Sequence, residues 1–485
     1  MKLLLILCVV LYGLSMLFIL LYSLAQAHLL YRFRLFLRQK RPTLPAPKVW
    51  PLVTVQLPVY NEKYVVERLI DAVAALDYPA DKLEIQLLDD SDDETTALIQ
   101  QKVQQYLHLN LQHIQRQDRS GFKAGALKYG LELAKGEFIA IFDADFVPDP
   151  LFLKKTIPYF ADAKLGMVQT RWAHLNKEYS VLTRLQALAL DAHFFVEQVG
   201  RNSQQAFINF NGTGGVWRKT TILDAGNWQD DTLTEDLDLS YRAQLKGWQF
   251  LYLPEVESRA ELPPVMSALK SQQFRWTKGG AESAVKHLGT VLRSEKPLQT
   301  KYHALAHLLN SSVFVAVLVA SLASVPLLWA KVHYLLPVQA FQAAAVMLFS
   351  FIVISLVYFQ ADAFGKASGR GSFLLYFPLF LSMSMGLALH NAVAVWEGWT
   401  GRKSPFIRTP KFNLEGRQQR WQDNFYRSLK IPFTTYLEGL LGLLFLGVAA
   451  WGVVQKEYSL LIFHSMLALG YLLVFYYSFQ SYRRI

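Results

Sequence analysis

Apolar positions fall into three regimes along the 485 residues of this chain. The first is a nearly unbroken run from Leu3 to Leu30, enough for a bilayer crossing of about 20 residues. Ala25-Gln26-Ala27 looks like a signal cleavage site, but the run is too long for a signal core. Arg32, Arg34, Arg38, Lys40 and Arg41 follow it, and basic residues flank spans on the cytoplasmic side. Residues 1–41 are therefore expected to be an uncleaved transmembrane anchor, with the following chain in the cytoplasm. The second regime, 42–261, opens with a linker containing Pro42, Pro45, Pro47 and Pro51. Short apolar runs then alternate with helix-like stretches. Val53–Leu57, Glu84–Leu88 and Phe138–Phe142 predict strands, while Tyr64–Leu76 and Glu94–Leu107 predict helices. This alternation, with polar residues at strand ends, predicts a Rossmann-like open α/β sheet binding ligands at its carboxyl edge.

In the third regime, residues 262–300 interleave Trp276, Lys278, Lys286 and Arg293 with apolar positions, predicting amphipathic helices in the membrane interface. Apolar stretches follow at 303–330, 336–359, 372–398, 433–455 and 458–479, making 301–485 a C-terminal membrane region. The loop 401–431 inside it carries Arg402, Lys403, Arg408, Lys411, Arg417, Arg420, Arg427 and Lys430. An even number of crossings must separate this loop from the α/β domain if both face the cytoplasm. The stretch 372–398 holds Pro378, Gly386, His390, Asn391 and Glu397, and is expected to be partly interfacial or re-entrant.

Composition narrows the partners. The net charge of +11 invites nucleic acid, but the excess lies beside the spans, so membrane lipids are expected and nucleic acid is not. The one cysteine, Cys8, sits in the first apolar run, so no intrachain disulfide is possible.

Chemistry concentrates in the middle of the chain. Asp143 and Asp145 follow the Phe138–Phe142 run, and side chains two apart in extended chain face one way. Paired carboxylates there suit Mg2+ or Mn2+, whose shell substrate phosphates complete. Asp89 and Asp90 end another strand, placed to bind a ribose or base, or to start the next helix with Ser91 and Asp92 as caps. Lys123, in a small-residue turn opening a helix, offers a phosphate site. Asp236 in Thr234-Glu235-Asp236 is the candidate general base; Thr234 as a helix cap, with Glu235 and Asp236 favouring the helix end, is the structural alternative. Gln272, Gln273 and Arg275 offer donors to a diphosphate, and Trp276 offers a sugar platform. Asn211-Gly212-Thr213-Gly214-Gly215 lacks the lysine of a phosphate-binding loop and suits close approach to an acceptor sugar.

These residues, in this order, resemble glycosyltransferase family 2, specifically the processive branch that contains cellulose synthase. The family pattern of D, DxD, TED and QxxRW is matched at Asp90 or Asp89, Asp143/Asp145, Thr234–Asp236 and Gln272–Trp276. Gln169-Thr170-Arg171-Trp172, Phe210–Arg218 and Ala243–Trp248 resemble the plant cellulose-synthase-like A and C groups, linked to mannan, glucomannan and xyloglucan backbones. Ser404–Lys411 resembles the gating loop of cellulose synthase, implying roles for Phe406, Thr409 and Lys411, although Arg408 stands where valine is usual. The resemblance implies a GT-A catalytic domain between transmembrane helices, in a bacterial inner membrane. It implies inverting transfer of hexose from UDP-glucose or GDP-mannose to a β-linked, β-1,4 glycan, with coupled export. The rival expectation is a glycolipid synthase acting on ceramide or diacylglycerol; a non-catalytic scaffold or exporter is a third.

Overall fold

The computed structural model describes residues 2–39, 44–335, 344–365, 370–404, 407–414, 421 and 431–483. Phe406, Arg417, Arg420, Arg427 and Lys430 lie outside the described residues.

The three strand expectations hold as β1 Val53–Val59, β2 Leu83–Asp89 and β4 Phe138–Ile141, and β3, Asn110–Gln115, is a further strand between β2 and β4 in sequence. With β5 Val147–Pro148, β6 Leu165–His174, β7 Gly215–Arg218 and β8 Gln249–Ala260 they form a sheet of order β3-β2-β1-β4-β7-β6-β8-β5. The β3-β2-β1-β4 block is parallel, so its carboxyl ends share one edge. β7 runs antiparallel to both β4 and β6.

The alternation Val53-Thr54-Val55-Gln56 reads like a half-exposed strand, yet all four residues are buried. The polar positions are matched across the β1–β2 register. Thr54 pairs with Glu84 and Gln56 with Gln86, and Gln56 Nε2 donates to Gln86 Oε1 at 3.0 Å. A helix, Phe122–Leu133, covers this face. Gly130 permits its approach, since a Cβ there would lie 2.7 Å from Gln56 Nε2.

Around this domain, among the described residues, five helices are long and apolar enough to cross a membrane. They are Lys2–Phe36, Ser312–Val332, Met347–Phe364, Phe433–Val454 and Leu461–Ser481. A further pair, Ser372–Gly386 and Ala388–Trp399, is bent by 48° and makes six if it is one span. The break falls within the stretch singled out from Pro378 and Gly386. The protein is thus built as a membrane protein. Gly386 and Gly470 let two of these helices touch, for a Cβ on Gly470 would lie 1.9 Å from the Ser382 carbonyl oxygen. The 262–300 segment contains one long helix, Met266–Arg293. One face of it is covered, where Ala268, Leu269, Lys270, Thr277, Lys278 and Ala281 are buried, while Val285 and Leu292 are exposed. It packs on the second half of the bent pair, where Lys278 Nζ meets Glu397 Oε2 at 3.2 Å.

Candidate functional site

The carboxyl edge of the parallel block opens into two cavities of ≈ 130 and ≈ 120 Å³. Lys123, Asp143, Asp145, Arg275 and Lys411 line both, forming a shared wall. The first also receives Asn211, Gly212, Glu235, Asp236, Gln272 and Trp276. Most of the residues singled out from the sequence therefore converge. Gln273, one position on from Gln272, is not among the lining residues of either cavity.

Asp143 and Asp145 reach the common wall by a different route from the one expected. β4 ends at Ile141, and a turn follows in which Phe146 N–H donates to the Asp143 carbonyl at 3.0 Å. A turn, and not extended backbone, brings the two carboxylates to one space. Thr213 fixes that turn by accepting the Asp143 N–H on its hydroxyl at 2.9 Å. Lys123 Nζ lies 2.6 Å from Asp143 Oδ1 and 2.9 Å from the Gly212 carbonyl oxygen. Lys411 Nζ lies 2.7 Å from Asp145 Oδ2.

Among the described residues no group of three or more His, Cys, Asp or Glu side chains is arranged to hold a metal ion alone. Two hard carboxylates on the wall of a cavity do fit Mg2+ or Mn2+ with a shell completed by phosphate and water. The two lysines hold these carboxylates as counter-ions.

The adjacent acids Asp89 and Asp90 part company. Asp89 is buried and accepts from Ser91 N–H, Thr96 Oγ1 and His113 Nε2 at 2.9, 2.8 and 2.9 Å. Burial opposes its charge, but these bonds hold its carboxyl below the usual range. Asp90 lines the second cavity, clamped by Arg116 Nε at 2.9 Å. Ser91 and Asp92 do not cap the next helix, Thr95–Gln105. Asp93 accepts the Thr95 N–H instead, at 2.9 Å.

Glu235 and Asp236 begin the helix Glu235–Leu245. Thr234 makes no capping hydrogen bond, so its expected capping role is absent. Its environment explains this: a Cβ on Gly279 would lie 2.5 Å from Thr234 Cγ2, so the long helix presses directly on this loop. Asp238, one turn on, binds His287 Nε2 at 2.8 Å and Lys286 Nζ at 2.7 Å, locking the two helices together. Burial, then the neighbouring Glu235 charge, pushes the Asp236 carboxyl up to about 7. Glu235 is also raised, chiefly by burial. Gly212 has φ +80, and a Cβ there would lie 3.1 Å from Asp236 Oδ2.

Trp276 stands beside Trp172, ring centroids 6.3 Å apart, and both line the first cavity. The segment 407–414 crosses the second cavity. Arg275 Nη2 donates to Thr409 Oγ1 at 2.5 Å, Arg408 pairs with Glu62 at 2.6 Å, and Phe412 N–H donates to Glu261 at 2.8 Å. Arg408, which departs from the expected valine, thus has an acidic partner. Glu62 and Glu261, missed in the sequence, are buried, and burial raises both to about 7. Each is an isolated carboxylate with no motif around it.

Residues 51–279 match the family model described as "Glycosyltransferase like family 2". The chain is 43% identical over 278 residues to "Probable glucomannan 4-beta-mannosyltransferase 4" of Oryza sativa subsp. japonica, covering 56% of this chain and 50% of the relative. It is 43% identical over 275 residues to "Glucomannan 4-beta-mannosyltransferase 1" of Cyamopsis tetragonoloba, covering 55% and 52%. The chain spans about half the length of the curated relatives it matches. A solved mannosyltransferase from Pyrobaculum calidifontis, in complex with GDP-Man and Mn2+, superposes with a TM-score of 0.57 at 20% identity. That match covers 81% of this chain and 100% of the other. The fold is accordingly the GT-A-like open sheet, flanked by apolar helices, and the family match, 51–279, falls on the α/β sheet and the start of the long helix that follows it.

Proposed function

We propose that this protein is an inverting hexosyltransferase that takes mannose from GDP-mannose and extends a β-1,4 glycan. The matched relatives are named glucomannan 4-beta-mannosyltransferases, which favours mannose over the glucose of UDP-glucose as the main donor sugar. One observation carries the reading: Asp236, half-buried with its carboxyl pushed up to about 7, lines one cavity with Lys123, Asp143, Arg275 and Trp276.

In this reading the acceptor hydroxyl loses its proton to Asp236 Oδ as its oxygen attacks the anomeric carbon. A single base with a separately stabilised leaving group gives inversion. The indole of Trp276, with Trp172 beside it, offers apolar faces to the acceptor sugar. Lys123 and Arg275 supply positive charge to the departing diphosphate. Asp143 and Asp145 would hold Mg2+ or Mn2+, which neutralises charge on that diphosphate. Asp90, on the second cavity, would meet the nucleoside, and Asp89 would support the turn behind it by holding the Ser91 N–H. Thr409 and Lys411, already bound to Arg275 and Asp145, would bring segment 407–414 against the donor.

The test is incubation of membranes carrying the protein with labelled GDP-mannose, and separately UDP-glucose, with Mn2+ or Mg2+. The expected product is polymer sensitive to β-mannanase, absent in Asp236→Asn and after chelation. Label extracting into organic solvent as a single-sugar lipid would overturn the polymer reading in favour of a glycolipid synthase. Equal silence of wild type and Asp236→Asn with both donors would overturn the transferase reading.

A further inference from the structure

Behind the cavity wall beside Asp236 runs a line of polar side chains with no part in the transfer as described so far. Residues Ala192–Gln198 form a π-helical segment between the helices Val181–Asp191 and Val199–Asn202. Such segments are rare and are frequent at functional sites. This one presents His193 and Gln198 to Asn211, a residue lining the cavity.

The direction of each hydrogen bond follows from one fixed acceptor. Gln198 Nε2 lies 3.1 Å from the Asn209 carbonyl oxygen, which can only accept, so this atom is the amide nitrogen. The same nitrogen lies 2.8 Å from Asn211 Oδ1, which makes that atom the carbonyl and Nδ2 the donor. Asn211 Nδ2 therefore donates to His193 Nε2 at 3.1 Å. The ring proton must then sit on Nδ1, which meets Glu197 Oε2 at 3.1 Å. The other Glu197 oxygen accepts from Gln26 Nε2 at 2.7 Å.

Gln26 is a buried amide in the first apolar helix. That helix packs against the segment and closely against the short helix after it, where a Cβ on Gly200 would lie 2.7 Å from the Leu29 carbonyl oxygen. Burial opposes charge on Glu197, but bonds from His193 and Gln26 and the charge of Arg201 hold its carboxyl at about 2. It is a fixed anion, and a fixed anion fixes the tautomer of the imidazole.

We infer that His193 and Glu197 are positioning residues that set the orientation of Asn211 in the acceptor half of the cavity, with Gln26 tying that setting to the first apolar helix. The inference rests on the transferase reading and names further residues for it. Acceptor hydroxyls meeting Asn211 would find its amide already oriented, and Asn211 lines the first cavity but not the second, where Asp90 lies.

The experiment uses the full chain in detergent or nanodiscs, with GDP-mannose, Mn2+ and β-1,4-mannotetraose as the acceptor probe. Asn211→Ala and His193→Ala should each raise the acceptor KM about tenfold, the effect of one hydrogen bond. Binding of GDP, read by calorimetry, should not change. The double variant should be no worse than Asn211→Ala alone, because His193 acts through Asn211. Glu197→Gln, which keeps an acceptor oxygen for the imidazole N–H, should remain near wild type where Glu197→Leu does not. Additive losses in the double variant, or an equal change in GDP binding, would overturn the inference while leaving the transferase reading intact. A wild-type protein as silent as Asp236→Asn would bring down both.

Discussion

Replacing Glu235 with Gln should move the pH dependence of transfer toward acid. Asp236 must be ionised to accept a proton, so kcat/KM should rise with pH through the carboxyl's value near 7. Burial is the larger cause of that value and the adjacent Glu235 charge the next; the substitution removes the second alone. At an effective dielectric constant of about 20, two unit charges about 6 Å apart repel by about 2.8 kcal/mol, or about two pKa units. Lys123 Nζ, 3.9 Å from Glu235, offsets part of this. A fall of about one unit remains, from near 7 to near 6, with burial still holding Asp236 above an ordinary carboxyl. The assay is kcat/KM for GDP-mannose from pH 5 to 9 in wild type and Glu235→Gln, because kcat/KM reports the free enzyme. The position of the acid limb is the readout, not the height of the plateau, which the loss of a cavity-lining carboxylate will also change. An unmoved limb, or one moved to higher pH, would refute the assignment of Asp236 as the base with Glu235 as its repelling neighbour.

Three further outcomes are expected. Asp236 binds its proton more tightly folded than unfolded, so its contribution to stability is lost as pH rises from about 4 through 7; Asp236→Asn should raise the Tm at pH 8 and leave it unchanged at pH 4, by thermal denaturation in detergent. Gly212→Ala places a Cβ at φ +80 and 3.1 Å from Asp236 Oδ2; the backbone cost is about 1–2 kcal/mol, and kcat should fall at least tenfold with GDP binding kept. Gly470→Ala drives a methyl into the Ser382 carbonyl oxygen at 1.9 Å, so the bent helix and the last helix must part, at a cost of about 1–3 kcal/mol; the Tm should drop while the pH profile of residual activity stays in place.

The strands and the acidic clusters at their ends were legible because each is local: an apolar run, then a polar break. What the sequence hides is direction. Asp89 and Asp90 are chemically alike, and only the β2–β3 pairing sends one to His113 and the other to Arg116. The 262–300 segment reads as interfacial because Trp276, Lys278, Lys286 and Arg293 interleave with apolar positions. In the fold, Lys270 and Lys278 are buried against Glu438 and Glu397, pairings across more than a hundred positions that no local period encodes. Thr234 and Ser91 look like helix caps by residue type, yet Gly279 and Asp93 decide otherwise.

Glu62 and Glu261 carry the same lesson into the chemistry of the site. Seven carboxylates line the two cavities: Glu62, Asp90, Asp143, Asp145, Glu235, Asp236 and Glu261. Five Lys or Arg residues line them too: Lys123, Arg119, Arg275, Arg408 and Lys411. The cations do not hold all seven carboxylates at ordinary values. The strain shows in Glu62, Asp236 and Glu261, each pushed to about 7 by burial that the cations do not fully offset. In the proposed reading, the two carboxylates on one wall, Asp143 and Asp145, suit a divalent cation, and a donor diphosphate suits Lys123 and Lys411, which such a cation would release. Two of the five cations, Arg408 and Lys411, belong to segment 407–414, so the charge balance of the cleft depends on where that segment lies. The acidic motifs and the basic loop, more than 100 residues apart in sequence, are therefore halves of one electrostatic unit.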